Sequence, residues 1–278
     1  MSTLLTFLFT VIMMNTADQV VSMGSMEPAT DANFVVEPIT YSVPEDARKI
    51  HTYMEASSRM LDRRMQNALR GIDEMSKRLL ALKYYLKRRG SIKGSWAWSR
   101  AQALRYKKSG AYGRSITELA RIRKTFEELN PGYSLRANAD IRGVGDQVRL
   151  WNKTSSVEVS ARDLLKKTLR ELSDTTWPEK PDKQAMTRFH AFLSKTKVPT
   201  IPTVAVPGFS QHGQLRAFDF VILQGNQIVA GADAGSVRSV WDVGGWTTKL
   251  KEAIDATSDR FSGPLKAPYE PWHYEYSP

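Results

Sequence analysis

Four side chains in the last third of the chain have types and spacings that suit hydrolytic metal chemistry. His212 and Asp219 stand seven residues apart, and Glu270 and His273 stand three apart. Imidazole and carboxylate are donors that borderline cations such as Zn²⁺ accept. A set of His212, Asp219 and His273 leaves a fourth position for water. Glu270, a free carboxylate three residues from a ligand, is placed to take a proton from that water. The chain has no cysteine, which excludes a disulfide framework, a thiolate nucleophile and any thiolate metal site. It has four histidines in all: His51, His190, His212 and His273.

The elements that must position these groups read as β-structure. Val204, Val206, Phe218, Phe220, Val221, Ile222, Ile228 and Val229 are strand formers, and Gln224-Gly225-Asn226-Gln227 is a turn. A hairpin of Phe218–Leu223 and Gln227–Ala230 is expected. It places His212 at the end of a loop and Asp219 on the first strand. At the C-terminus, Pro271-Trp272-His273-Tyr274-Glu275 reads as a second strand. Its alternation puts His273 and Glu275 on one face.

Ser210-x-His212 followed by Ala217-x-Asp219 resembles the first motif of the zinc D-alanyl-D-alanine carboxypeptidase and dipeptidase family. That family includes phage endolysin endopeptidases and has the Hedgehog/DD-peptidase fold. Glu270-x-Trp272-His273 resembles its second motif. The resemblance covers roughly residues 155–278. It implies that His212, Asp219 and His273 hold Zn²⁺, that Glu270 is the catalytic base, and that the substrates are stem peptides of bacterial peptidoglycan. It also implies an arginine upstream of the first motif that holds the substrate carbonyl or carboxylate. Arg188 is the first candidate and Arg170 the second, while strand alternation points Arg216 away from Asp219. Ser210 and Trp272 are expected at the substrate, Trp246 in a pocket wall or the core, and Glu275 beside a ligand histidine. One departure is Leu215, where the family usually has glycine three residues after the first histidine; Gly213 comes two earlier. Carboxypeptidase and endopeptidase action both stay open.

The charge lies elsewhere. The formal net charge is +11, and residues 61–110 alone account for it. That segment suits an anionic cell-wall or membrane surface. No helix-turn-helix, zinc-finger or RNA-binding signature supports a nucleic-acid partner. Leu61, Met65, Ala68, Ile72, Met75, Leu79, Leu82 and Leu86 form a heptad-like seam without proline, which predicts one long helix stopped at Gly90. The seam fits a coiled coil or packing on the chain's own helices, and packing is preferred. Further helices are expected from Trp96 to Tyr106, Ser115 to Leu129, Ala161 to Leu172 and Ala185 to Leu193. A strand and turn are expected within 136–152.

Thr3–Met14 is an uncharged run of the length of a secretory signal's apolar region, with Ala17 or Ser22 at a cleavage site. The domain reading is therefore an export signal at 1–22, a linker at 23–44, a basic α-helical region at 45–135 and a zinc-peptidase-like domain at 136–278. The fold class is α+β: a small antiparallel sheet with flanking helices, preceded by a helical region. An exported, periplasmic or cell-envelope location follows from the signal. Two other readings compete with the peptidase: a non-catalytic cell-wall-binding or scaffolding protein that keeps the fold, and a nucleic-acid binder driven by residues 61–110.

Overall fold

The computed structural model describes residues 47–90 and 92–278. The export signal and the linker therefore lie outside the described residues. Among the described residues the fold is α+β, with ten helices, besides three short 3₁₀ or π turns, and seven strands in the order α1 (Arg48–Ser58), α2 (Arg63–Arg70), α3 (Met75–Arg88), α4 (Ile92–Ser95), α5 (Arg100–Lys107), α6 (Gly110–Leu129), β1 (Tyr133–Asn138), α7 (Val144–Lys153), α8 (Ser155–Leu172), α9 (Lys183–Lys195), β2 (Ala217–Gln224), β3 (Gln227–Ala230), α10 (Trp246–Asp255), β4 (Phe261–Ser262), β5 (Leu265–Lys266), β6 (Tyr269–Glu270) and β7 (His273–Tyr276). The α4 segment is one irregular turn broken at Lys93 and Gly94. Among the described helices none is long and apolar enough to cross a membrane.

Two hydrophobic cores organise the chain. The first joins α1–α3 to α7–α9 and includes Trp96, Val206 and Phe209. The second packs Leu119, Ile122 and Phe126 of α6 and Leu250, Ala253 and Ile254 of α10 against one face of the sheet. The cores do not divide the chain at residue 135. Helix α6 and strand β1 belong with the sheet, and α7–α9 belong with the N-terminal helices.

The heptad-like seam packs into the first core, all of it buried except half-buried Met75. It is not one helix: α2 ends at Arg70 and α3 begins at Met75. Asp62 caps α2 by accepting from the Arg64 N–H, and Gly71 follows its last turn. Ile72 keeps the apolar period across the break because it is itself fully buried. Two lysines from α3 close neighbouring helices. Lys83 Nζ donates to the Leu193, Ser194 and Thr196 carbonyls at the end of α9, and Lys77 Nζ donates to Asn152 O at 2.7 Å near the end of α7. Both complete carbonyls that a helix terminus leaves unpaired.

Trp96-Ala97-Trp98 is not helical, and α5 starts only after Ser99, whose side chain forms a capping box with Gln102. The reason is tertiary. Ala97 N–H donates to Gly208 O at 2.7 Å and Trp98 N–H to Gly213 O at 2.8 Å. This segment is thus stitched to the loop that leads into His212. A Cβ on Gly213 would lie 2.5 Å from Ala97 Cβ, so the close approach requires glycine.

The sheet runs β1-β2-β7-β4, with β3 also on β2, and its pairs are antiparallel. Ala217 faces Glu275, and Asp219 faces His273 across β2 and β7. Phe218, Phe220, Ile222, Tyr274 and Tyr276 are buried in the second core. Period-two alternation then presents Asp219 and His273 together on the opposite face.

Candidate metal centre

Asp219 is the hub. Its Oδ1 lies 2.9 Å from His273 Nδ1, its Oδ2 lies 3.2 Å from His212 Nε2, and Arg142 Nη2 donates to Oδ2 at 2.8 Å. His212, Asp219 and His273 are 4%, 7% and 8% exposed. The two imidazole rings sit 5.1 Å apart, nearly perpendicular. Glu270 Oε2 stands 3.8 Å from His273 Nδ1, and Glu275 Oε1 stands 3.9 Å from His273 Nε2.

Each position has a local cause. The register of β2 against β7 fixes Asp219 opposite His273. His212 sits on a short 3₁₀ turn, Gln211–Gln214. Leu215 ends that turn in the left-handed region, φ 53° and ψ 33°. The residue that departs from the resembled family's glycine therefore takes a conformation that glycine adopts freely. For leucine the cost is about 1–2 kcal/mol, and burial of its side chain, 2% exposed, offsets it. Glu270 lies on the two-stranded β5–β6 ladder, opposite Leu265.

Gln147 ties the parts together. Its Oε1 accepts from Gly208 N–H at 2.8 Å and from Ser210 N–H at 3.4 Å, and its Nε2 donates to Arg142 O at 2.8 Å. Arg142 N–H donates to His212 O at 3.3 Å. One buried amide thus links the segment carrying Arg142 to the segment that enters the His212 turn.

The electrostatics follow from burial opposed by close partners. Burial would raise the Asp219 carboxyl, but its bonds to His212 and His273 outweigh that and hold it well below the carboxylate range. Burial lowers His212, more strongly than Asp219 raises it. His273 is pushed the other way. Burial favours its neutral form, yet Asp219 and Glu275 together carry it up to about 9. Glu270 is raised, first by burial and then by the charge of Asp219. A raised carboxyl next to a depressed one is the pattern expected of an acid–base group beside a permanently anionic one.

The donor set fits a cation. One nitrogen or oxygen from each of His212, Asp219 and His273 lies within 4.8 Å of the others. Bonds of about 2.0–2.2 Å to a single ion set its donors roughly 3–4 Å apart, and the 2.9 Å and 3.2 Å contacts are close to that range. Asp219 supplies the anionic charge, and Glu275 faces the second nitrogen of His273, where an outer carboxylate orients a metal-bound imidazole.

The other expected residues are placed as follows. Ser210 is half-buried on the loop before His212, anchored through its backbone. Trp272 is 5% exposed and packs on Trp241 at 6.0 Å, so it belongs to the sheet core rather than to a pocket wall. Trp246 is also core, edge-on to Tyr133. Arg188 is not at the cluster. It stacks on Trp177 at 3.9 Å, donates to Thr176 Oγ1 and pairs with Glu171. It lines a shallow depression with Lys183, Gln184, Thr187 and Ala191 that contains none of the clustered residues. The arginine at the cluster is Arg142, and it and Gln147 are the groups that sequence reading misses. Their signal is faint: an Ile-Arg-Gly step followed by a glycine-interrupted helix. No protein-family model matches the chain, and no curated protein or solved structure matches it.

Proposed function

We propose that this protein is a zinc peptidase that hydrolyses peptide bonds in peptidoglycan stem peptides, with the Hedgehog/DD-peptidase fold in the part that carries the cluster. One observation carries the reading. Two histidines from opposite ends of the C-terminal third meet a strand aspartate in one buried cluster, with a raised-pKa glutamate 3.8 Å away. The order and spacing of the two motifs support the same family. The left-handed conformation of Leu215, at the position where the family usually has glycine, and an arginine at the cluster, Arg142, are compatible with that reading.

His212, Asp219 and His273 would hold the ion. When bound, zinc lowers the pKa of a coordinated water and polarises the scissile carbonyl. Glu270 accepts the proton as the water oxygen bonds to the carbonyl carbon. It returns that proton to the nitrogen as the carbon–nitrogen bond breaks. Arg142, whose side chain is 34% exposed at the rim, supplies positive charge toward the developing oxyanion. Glu275, with Oε1 3.9 Å from the outer nitrogen of His273, places a negative charge beside that ring.

The substrate class rests on the resemblance, and the basic helical region is compatible with it because cell-wall polymers carry carboxylates. Export to the cell envelope belongs to the same proposal. The test is hydrolysis of purified muropeptides by zinc-loaded wild type and Glu270→Gln. Turnover by the wild type and loss of roughly a hundredfold or more in the variant support the reading; equal rates remove Glu270 from the mechanism. Zinc retained with no turnover on any stem peptide leaves a binding protein instead.

A further inference from the structure

We propose that the helical half of the chain is a working part of the metal centre. Tyr85, Trp96, Ala97 and Gln214 are positioning residues that hold the turn bearing His212, and zinc affinity depends on them. The inference rests on the reading of His212, Asp219 and His273 as ligands of one ion. It concerns the contacts of residues 85–98, which the resemblance to the zinc peptidases does not cover.

The three clustered side chains reach the site from different supports. Asp219 and His273 lie on paired strands whose neighbours Phe218, Phe220, Tyr274 and Tyr276 are buried in the second core. His212 comes from the other side. The loop before it sends Val206 and Phe209 into the first core, and the chain rejoins the second core only at Phe218. Left-handed Leu215 is the joint between the His212 turn and β2. An ion held by all three side chains therefore braces one core against the other.

Both ends of the His212 turn are gripped by the helical half. Tyr85 on α3 is fully buried and donates its hydroxyl to Pro207 O at 2.8 Å. The Phe209 ring meets Trp96 edge-on at 5.4 Å, and the Arg88 guanidinium lies 5.2 Å over it. Gly208, at φ 91°, passes so close to Trp96 that a Cβ would lie 2.3 Å from its ring. Ala97 N–H bonds to Gly208 O and Trp98 N–H to Gly213 O. Beyond the ligand, Gln214 is 2% exposed, and its Nε2 donates to Gly94 O at 2.7 Å and to Trp96 O at 3.0 Å.

This clamp has a consequence for binding. Apparent affinity scales with the fraction of molecules whose binding groups already stand in place. Loss of a clamping bond lets the turn leave Asp219, so the same three donors hold the ion less tightly. By linkage, the bound ion holds the turn on the helical half with the same coupling.

A matched pair of variants tests this. Tyr53 is fully buried in the same core and donates its hydroxyl to Pro178 O at 3.0 Å, on a loop that carries none of the clustered residues. Tyr53→Phe and Tyr85→Phe thus remove the same kind of bond from one core. Zinc affinity of the full chain is read by competition with a chromophoric chelator, and stability by urea unfolding of the metal-free chain. Both variants are expected to lose similar stability. Tyr85→Phe alone is expected to lose affinity, about threefold. Gln214→Met keeps the volume without a donor, and a loss of about tenfold or more is expected. Equal zinc affinity in wild type, Tyr85→Phe and Gln214→Met overturns the proposal and leaves the ligand assignment standing. So does a loss in Tyr53→Phe as large as that in Tyr85→Phe, which marks a general effect of core stability. A wild type that takes up no zinc removes the ligand assignment and this inference with it. Zinc is read without substrate, so a chain that cleaves no muropeptide yet shows the expected affinities supports the clamp.

Discussion

Gln147→Leu is the most informative single change. The Gln147 side chain is 4% exposed and makes two short bonds, to Gly208 N–H and Arg142 O, each at 2.8 Å, and a longer one to Ser210 N–H. Leucine keeps the volume and makes none of them. A buried backbone group left unpaired costs about 1–3 kcal/mol, so two strong losses amount to about 2–6 kcal/mol. The added apolar burial returns about 1 kcal/mol. The net loss, about 1–5 kcal/mol, lowers the thermal midpoint by roughly 2–20 °C for a chain of this size. The variant also frees both segments that flank His212, so zinc affinity falls about 10–100-fold, the usual effect of losing a supporting hydrogen bond around a metal site. Urea unfolding and competition with a chromophoric chelator read the two effects separately. A variant within about 0.5 kcal/mol of wild type, the range of ordinary surface changes, with unaltered zinc binding refutes the argument that this amide organises the site.

Three further outcomes follow from the same contacts. Gly213→Ala forces a Cβ to 2.5 Å from Ala97 Cβ and 2.8 Å from Gln147 Nε2, and its overpacking is expected to cost about 1–3 kcal/mol; an unchanged melting midpoint contradicts this. Arg142→Gln removes the guanidinium from Asp219 Oδ2 and is expected to cut muropeptide turnover about a hundredfold while zinc stays bound; full activity excludes Arg142 from catalysis. For Lys83, burial first and then Lys87 lower its pKa from 10.5 to about 8. Between those values the folded chain binds fewer protons than the unfolded one, so the stability of wild type relative to Lys83→Met rises with pH across that window. Paired urea curves at several pH values check the slope, and a flat or falling difference contradicts it.

The sheet and the clustered His and Asp side chains were legible because their signals are local. The alternation of Phe218, Phe220 and Ile222 around Asp219 states the buried face of β2, and the tyrosines around His273 state that of β7. The hairpin turn at Gly225 follows the same logic. The helical half was legible only as stripes. Ile72 continues an apolar period through a turn, so α2 and α3 read as one helix although Gly71 separates them. Trp96–Trp98 has helical neighbours but is held out of the helix by bonds to Gly208 and Gly213, more than a hundred residues away, and no local pattern reports such a partner. Helix α7 is masked by Gly143 and Gly145 at its start, while Gln147, Val148 and Trp151 bury its inner face. Arg142 escaped for the same reason: Arg188 is nearer to His212 in sequence, yet helix packing carries it to Trp177.

Zinc-edge X-ray absorption on the purified chain loaded with one equivalent of Zn²⁺ addresses the metal centre most directly. Two imidazole nitrogens at about 2.0–2.1 Å with oxygen completing the shell, and loss of the ion in His212→Ala, Asp219→Ala and His273→Ala, are the predicted results. Full occupancy in all three variants, or a spectrum without imidazole scattering, contradicts the shared site.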